Sequence, residues 1–213
     1  MHIDHVVLAV RDLDEAADRL LASTGLDAVA GGRHPGWGTA NRIVPLGDDY
    51  VELLSVVDRD IGAGTTLGRA LLELTQDGRD RWFSVCVAEP EIDATAARLG
   101  LTVDPGARTL PDGTRVRWRG AGIEDPARPP WLPFFIVWDI PPQEHPGRMP
   151  AAHRVAPSGI RRVEVAGDAV RLRDWLGGAE VPIACVTADG PSGVRSVAVG
   201  LADGGEVVLQ GAR

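Results

Sequence analysis

Cysteine is scarce in this 213-residue chain. Its two thiols, Cys86 and Cys185, sit inside the apolar runs FSVCVA and PIACVTA. Such a pair makes no disulfide framework, so both are expected as buried, unreactive thiols in a protein of the reducing cytoplasm. Long apolar runs are missing too. Nothing approaches about eighteen continuous apolar residues, so no membrane span is expected. The opening MHIDHVVLAV lacks the basic start, apolar centre and small-residue cleavage site of an export signal. Positive charge is in deficit, with 22 basic against 30 acidic side chains and a formal net charge of -8. That balance argues against a nucleic-acid partner, because neutralising phosphates takes clustered Lys and Arg. Also absent are a Walker-type loop, a GxGxxG fingerprint, an HExxH pair and a nucleophile elbow. GWGTAN carries glycines without the strand-then-helix setting of a phosphate loop.

What is present is an ordinary globular composition, 44% hydrophobic and 24% charged, with 26 glycines and 16 prolines in no regular period. Many turns are implied, in one large unit or two small ones. Residues 3–10 (IDHVVLAV) read as a strand covered on both faces. Asp12 caps a helix whose apolar stripe is Leu13, Ala16, Ala17, Leu20 and Leu21, ended by Gly25. Extended stretches follow at 38–46 and 50–57 around the turn Gly47-Asp48-Asp49, with a weaker one near 27–33. The first unit thus reads β-α-β-β-β over residues 1–57. A helical connection over 58–80 carries one helix near 66–75. The pattern then recurs over 81–140, with strands at 113–119 and 134–139, and again over 158–213. In the third copy Asp168 caps a helix burying Leu172, Trp175 and Leu176, and strands follow near 182–187, 193–200 and 206–209.

Three imperfect copies of one unit weigh more than any single element assignment. Each unit covers one face of its small sheet with a helix and leaves the other to be buried. Pairing two units lets twisted sheets curve around a common space, where a polar residue faces a ligand, a metal or water. Alternation sets Ile3, His5, Val7 and Ala9 on one face of the first strand, with Asp4 opposite. It also groups Tyr50, Glu52 and Leu54. His5 and Glu52 are therefore polar residues amid apolar strands, an imidazole and a carboxylate able to share a divalent ion or to hydrogen-bond each other.

The segments IDHVVLAVRDLDEAADRLLASTGL, GGRHPGWGTANRIVPLGDDYVELLSV, DGTRVRWRG and PWLPFFIVWD, in that order, resemble the glyoxalase-like domain of the vicinal-oxygen-chelate (glyoxalase/bleomycin-resistance/dioxygenase) superfamily. The resemblance implies an α+β fold of repeated βαβββ modules whose curved mixed sheets surround a cleft. It does not imply one activity. In metal-using members the ligands come from the first and last strands of two modules. The matching positions here are His5 and Glu52 in the first module, Ser84 and about Ile136 in the second, and near Arg162 in the third copy. Only the first pair supplies good ligands. His34 and His145, each opening an HPG triplet, are the imidazoles available to complete a set.

Further candidates for ligand contact are Asn41, whose neighbour Arg42 points the other way, and Trp118 and Trp138 as cavity walls in a chain with 5% aromatics. The strip Arg115, Arg117, Arg119 alternates with Val116 and Trp118 and reads as a solvated sheet face. The functional expectation is a small-molecule-binding protein. One form is a lyase, isomerase or dioxygenase that uses Zn, Ni, Mn or Fe on vicinal oxygens, with His5 and Glu52 as metal ligands and Glu52 as the catalytic carboxylate. The other is a metal-free binding protein of the drug-resistance type. Edge strands in three modules favour a homodimer.

Overall fold

In a computed structural model, which describes residues 1–187 and 189–211, the first repeat runs β1 (His2–Ala9), α1 (Leu13–Thr24), β2 (Val29–His34), β3 (Thr39–Pro45) and β4 (Tyr50–Val56). Helix α1 begins where the Asp12 carboxylate accepts from the N–H groups of Asp14 and Glu15. It ends at Gly25, whose φ of 78° lies in the left-handed region that strains other residues. The connection holds α2 (Arg59–Ala63) and α3 (Thr66–Leu74). The second repeat runs β5 (Arg81–Ala88), α4 (Ile92–Leu99), β6 (Val103–Thr109), β7 (Arg115–Ala121) and β8 (Phe134–Trp138). The remainder is β9 (Pro157–Ala166), α5 (Ala169–Trp175), β10 (Ile183–Cys185), β11 (Gly193–Leu201) and β12 (Glu206–Gln210).

The first eight strands close into a barrel in the order β1-β4-β3-β2-β6-β7-β8-β5. Its two halves join firmly along the antiparallel pair β1–β5, as in Val6 opposite Val85. At the other seam a single pairing, Arg33 with Thr109, links β2 to β6. The last four strands form a separate sheet, β10-β9-β11-β12, outside the barrel. It shares one apolar core with the outer faces of the barrel strands, a cluster that holds Val163 and Val197 together with Val6 and Val85. Closure changes the expectation of docking edges in all three repeats: among the described residues, the free edges belong to β10 and β12 alone.

Two local departures from simple patterning shape the interior. Strand β6 does not read as an alternating segment because it contains Pro105 and Gly106 and buries only one of its seven residues. Gly106 is required there: a Cβ would lie 2.2 Å from Trp118 Nε1. In β1 the register against β5 slips between Ile3 and His5. This bulge overturns strict alternation, placing Ile3 in the outer core with Val6 and Val10 and bringing Asp4 beside His5. The barrel interior is lined by Val7, Ala9, Leu54, Cys86, Trp118, Phe134 and Ile136, with Leu67 and Leu71 of α3 packed against them.

Candidate active site

A narrow pocket of about 40 Å³ inside the barrel is lined by His5, Tyr50, Glu52, Asn41, His34 and Arg108, with Trp37, Trp118, Trp138, Phe134 and Ile136 among its apolar walls. It shares His34, Trp37, Trp118 and Ile123 with a wider outer cleft of about 730 Å³ that runs past Gly106 and Thr109. The opening thus lies on the weakly paired β2–β6 side. Glu52 reaches the pocket because β4 alternates Tyr50, Glu52 and Leu54 inward. One oxygen, Oε1, accepts from Asn41 Nδ2 at 2.5 Å. The Asn41 carbonyl in turn accepts from the Gly32 N–H at 2.7 Å, which fixes the orientation of the amide. Arg42, on the opposite face, reaches out to Asp14.

The other oxygen, Oε2, faces His5 Nε2 at 3.7 Å, beyond a hydrogen bond. His5 is held from behind. Its Nδ1 donates to Asp4 Oδ1 at 2.6 Å, and its ring stacks on Tyr50 with centroids 4.5 Å apart. Asp4, 1% exposed, also accepts through Oδ2 from Trp138 Nε1 at 2.8 Å and from His145 Nε2 at 3.2 Å. Burial alone would raise this carboxyl, but the hydrogen bonds and charges of His145 and His5 hold it well below the usual carboxylate range. With Nδ1–H committed to Asp4, Nε2 is the His5 nitrogen open to the pocket.

Of the residues singled out from sequence, His5, Glu52, His34, Asn41, Trp118 and Trp138 converge on this pocket. His145 does not line it; its ring ends on Asp4, with Nδ1 accepting from the Gly147 N–H. Arg115, Arg117 and Arg119 lie exposed on the outer barrel wall, Arg119 paired with Asp93 and Arg115 also bordering the outer cleft. Cys86 is a buried free thiol and Cys185 a half-buried one. Two site residues escaped sequence reading. Asp4 was assigned to the opposite face, and Arg108 lies on the unrecognised strand β6. Arg108 is 3% exposed, and its Nε is buried without a partner. No described residue hydrogen-bonds or ion-pairs with its guanidinium. The one available signal for Arg108 was its position in a repeat that needed one more strand.

His34 donates or accepts through Nδ1 with Thr39 Oγ1 at 3.0 Å. Burial pushes its imidazole down to about 4, with Glu52 opposing and Arg108 and His5 adding to the fall. Asp49 lies outside the pocket, where its Oδ2 accepts from the Ile160 N–H and its Oδ1 is buried without a partner. Burial raises its carboxyl to about 6. The two groups act on stability with opposite signs. Between pH 6.5 and about 4 the unfolded chain binds more protons at His34, so stability is lost as pH falls. Between about 6 and 3.8 the folded chain binds more at Asp49, so stability is gained as pH falls. The wild type should therefore be nearly flat across this window. Asp49→Asn should expose a loss of about 3 kcal/mol from pH 6.5 to 4, and His34→Gln a gain of about 2 kcal/mol. Urea unfolding at stepped pH reads both, and parallel curves for all three proteins would refute the assignment.

Does the pocket fit a divalent ion? His5 and Glu52 offer two facing donor atoms, and ligand atoms of Asp4, His5 and Cys86 lie within 4.8 Å of one another. Neither group completes a ligand set. Ser84 accepts from Arg128 and turns toward the Pro130 carbonyl, and Ile136 has no donor atom. Both Asp4 oxygens are engaged. The Cys86 thiol is pushed up by burial and by the charges of Asp4 and Glu52, which keeps it protonated. The residues present do not fit a resident metal.

An eight-stranded barrel built from two βαβββ repeats around an enclosed polar pocket is the vicinal-oxygen-chelate architecture. Residues 3–178 match the model of the glyoxalase-like domain, and the chain belongs to that family. A hypothetical protein from Staphylococcus aureus shares the fold over 100% of this chain and 86% of its own, with a TM-score of 0.64 and 17% identity. Methylmalonyl-CoA epimerase from Streptomyces coelicolor, in complex with 2-nitronate-propionyl-CoA, overlays 65% of this chain and 97% of its own (TM-score 0.45, 20% identity). The Mycobacterium tuberculosis epimerase overlays 64% and 85% (TM-score 0.43, 18% identity). No curated protein matches the sequence. No described helix is long and apolar enough to cross a membrane.

Proposed function

We propose that this protein is an acid–base enzyme, an isomerase or lyase that moves a proton on a small oxygenated molecule, with Glu52 as base and His5 Nε2 as its partner. The reading is carried by one observation: a carboxylate and an imidazole face each other across 3.7 Å in an enclosed pocket, each held from behind. The gap leaves room for a reacting hydrogen or oxygen between them. Glu52 takes a proton from carbon beside a carbonyl. His5, carrying a proton on both ring nitrogens with Nδ1–H held by Asp4, donates from Nε2 to the oxygen that gains charge, and Glu52 then returns a proton or a solvent deuteron to carbon as His5 takes its own back. Burial of both side chains strengthens both interactions. Asn41 orients the base, Asp4 holds His5 Nδ1–H and so supports the ring when Nε2 is protonated, and His145 acts through Asp4. Trp118, with His34 and Trp37, forms the neck between pocket and cleft, while Trp138 closes the inner wall and holds Asp4.

The test is solvent-deuterium exchange into pyruvate and phenylpyruvate, followed by proton NMR with chelator present. Exchange above the buffer rate supports the proposal. Exchange only after adding Zn, Ni, Mn or Fe would install the metal-dependent reading in its place. Binding of the same acids without exchange would leave a metal-free binding protein of the drug-resistance type, which the tryptophan-lined neck also suits. The two free cysteines favour a reducing cytoplasm. A homodimer through the edge strands β10 or β12 is proposed as well, and light scattering showing only monomer would reject it.

A further inference from the structure

We infer that Arg108 is the carboxylate receptor of this pocket, so that the substrate enters with an anionic carboxylate foremost and leaves its body in the outer cleft. The observation is a charge without a partner. A guanidinium stays protonated at any physiological pH and presents five donors with no acceptor of its own. When it is 3% exposed, water can satisfy little of it. One other described arginine is buried, and it is engaged. Arg128, for comparison, donates to the Gly122 and Leu132 carbonyls and to Ser84 Oγ. Arg108 has no such set, and its Nε is orphaned. Glu52 lines the same pocket, but its Oε1 is committed to Asn41 and no ion pair joins it to Arg108. Burying an unpaired cation is strongly unfavourable. A bound anion removes that cost, and the planar guanidinium matches a carboxylate bidentately.

Size selects the kind of anion. The inner pocket of about 40 Å³ admits a small group beside its walls of Tyr50, Phe134 and Ile136. The outer cleft of about 730 Å³ takes the bulk of a ligand, flanked by Trp37 and Trp118. A carboxylate on Arg108 delivers the adjoining carbon and its oxygen to the Glu52–His5 gap. The substrate class is therefore an oxygen-substituted carboxylic acid with an apolar or aromatic tail. This inference rests on the pocket being the substrate site proposed above. It also fits Gly32 and Gly106, which let the Arg108 chain and the Trp118 indole lie close against β2 and β6: a Cβ at Gly32 would meet Arg108 Cδ at 3.4 Å.

Calorimetric titration of the full chain with phenylpyruvate, its methyl ester, phenylpyruvamide and inorganic phosphate tests the assignment. The acid is expected to bind at least about thirtyfold tighter than ester or amide, and Arg108→Gln should erase that preference. Arg108→Lys should retain part of it, because a point charge replaces a fork. Arg173→Gln, on the exposed face of α5 and away from pocket and cleft, should change nothing. Equal binding of acid and ester by the wild type, undiminished acid binding in Arg108→Gln, or phosphate binding tighter than the acid would each overturn the inference. The wild-type comparison of acid with ester stands even if Arg108→Gln fails to fold. Deuterium exchange separates this inference from the parent proposal. Acid-selective binding without exchange sinks the acid–base reading and leaves Arg108 as receptor, whereas exchange without acid selectivity does the reverse.

Discussion

Glu52→Gln is expected to lower solvent exchange about a thousandfold while leaving phenylpyruvate binding nearly unchanged, the range seen when a positioned general base is lost. The substitution is close to isosteric. The Gln carbonyl can still accept from Asn41 Nδ2, which now bonds Glu52 Oε1, so the side chain keeps its place. What disappears is the basic oxygen facing His5 Nε2. The amide that replaces it cannot take a proton. Glu52→Asp should lie between the two, because it retains a base but withdraws it by one methylene. Asn41→Ala gives the complementary result: the carboxylate stays basic but loses its anchor, so exchange should fall less than in Glu52→Gln and with a shifted pH profile. Full activity in Glu52→Gln would remove this residue from the chemistry, whatever becomes of Arg108.

Sequence patterning carried the interior-facing side of this site better than its supports. Alternation along two apolar strands is enough to put His5 and Glu52 on inward faces, since a period of two is a property of the strand itself. The same rule separated Asn41 from Arg42. It failed at Asp4, because a bulge advances the backbone by one residue and local sequence around IDHVV does not announce it. It failed again at Arg108. Strand β6 reads DPGART, with Pro105 and Gly106 where turn chemistry is ordinarily found, and its pairing is supplied by β7 and a closing contact with β2. Nothing local distinguishes that arginine from the rest of the 22 basic residues. His145 presents a third kind of limit. It lies between two short 3-10 turns, Pro142–Glu144 and Pro146–Arg148. Periodicity does not exist there, so only the tertiary path reveals that its ring meets Asp4 rather than the pocket. The repeats were legible as copies, yet which copies close the barrel is decided by long-range pairing of β1 with β5 and β2 with β6.

Asp4→Ala should be among the most damaging single substitutions in the barrel, costing about 4 kcal/mol. Three donors converge on this carboxylate: His5 Nδ1, Trp138 Nε1 and His145 Nε2. Removing the acceptor leaves each of them at a buried or half-buried position, and a buried donor left unsatisfied costs about 1–3 kcal/mol. Water entering the space vacated recovers part of the loss, which brings the sum down to the stated figure. Asp4→Asn separates stability from function. Its carbonyl can face Trp138 and His145, but its NH2 then meets His5 Nδ1 and turns that nitrogen into an acceptor, so the ring can no longer carry protons on both nitrogens as proton transfer requires. Stability should fall by only about 2 kcal/mol, while exchange drops far more than a stability change of that size accounts for. The pH dependence carries the sign. Asp4 is held below its unfolded value of 3.8, so its contribution is complete above that pH and is lost as pH falls further. Asp4→Asn has no such group and should show a shallower acid limb in urea unfolding than the wild type. An Asp4→Ala protein as stable as wild type would show that the three donors find other partners, and an Asp4→Asn protein with undiminished exchange would show that the support Asp4 gives to His5 Nδ1–H has no part in the chemistry.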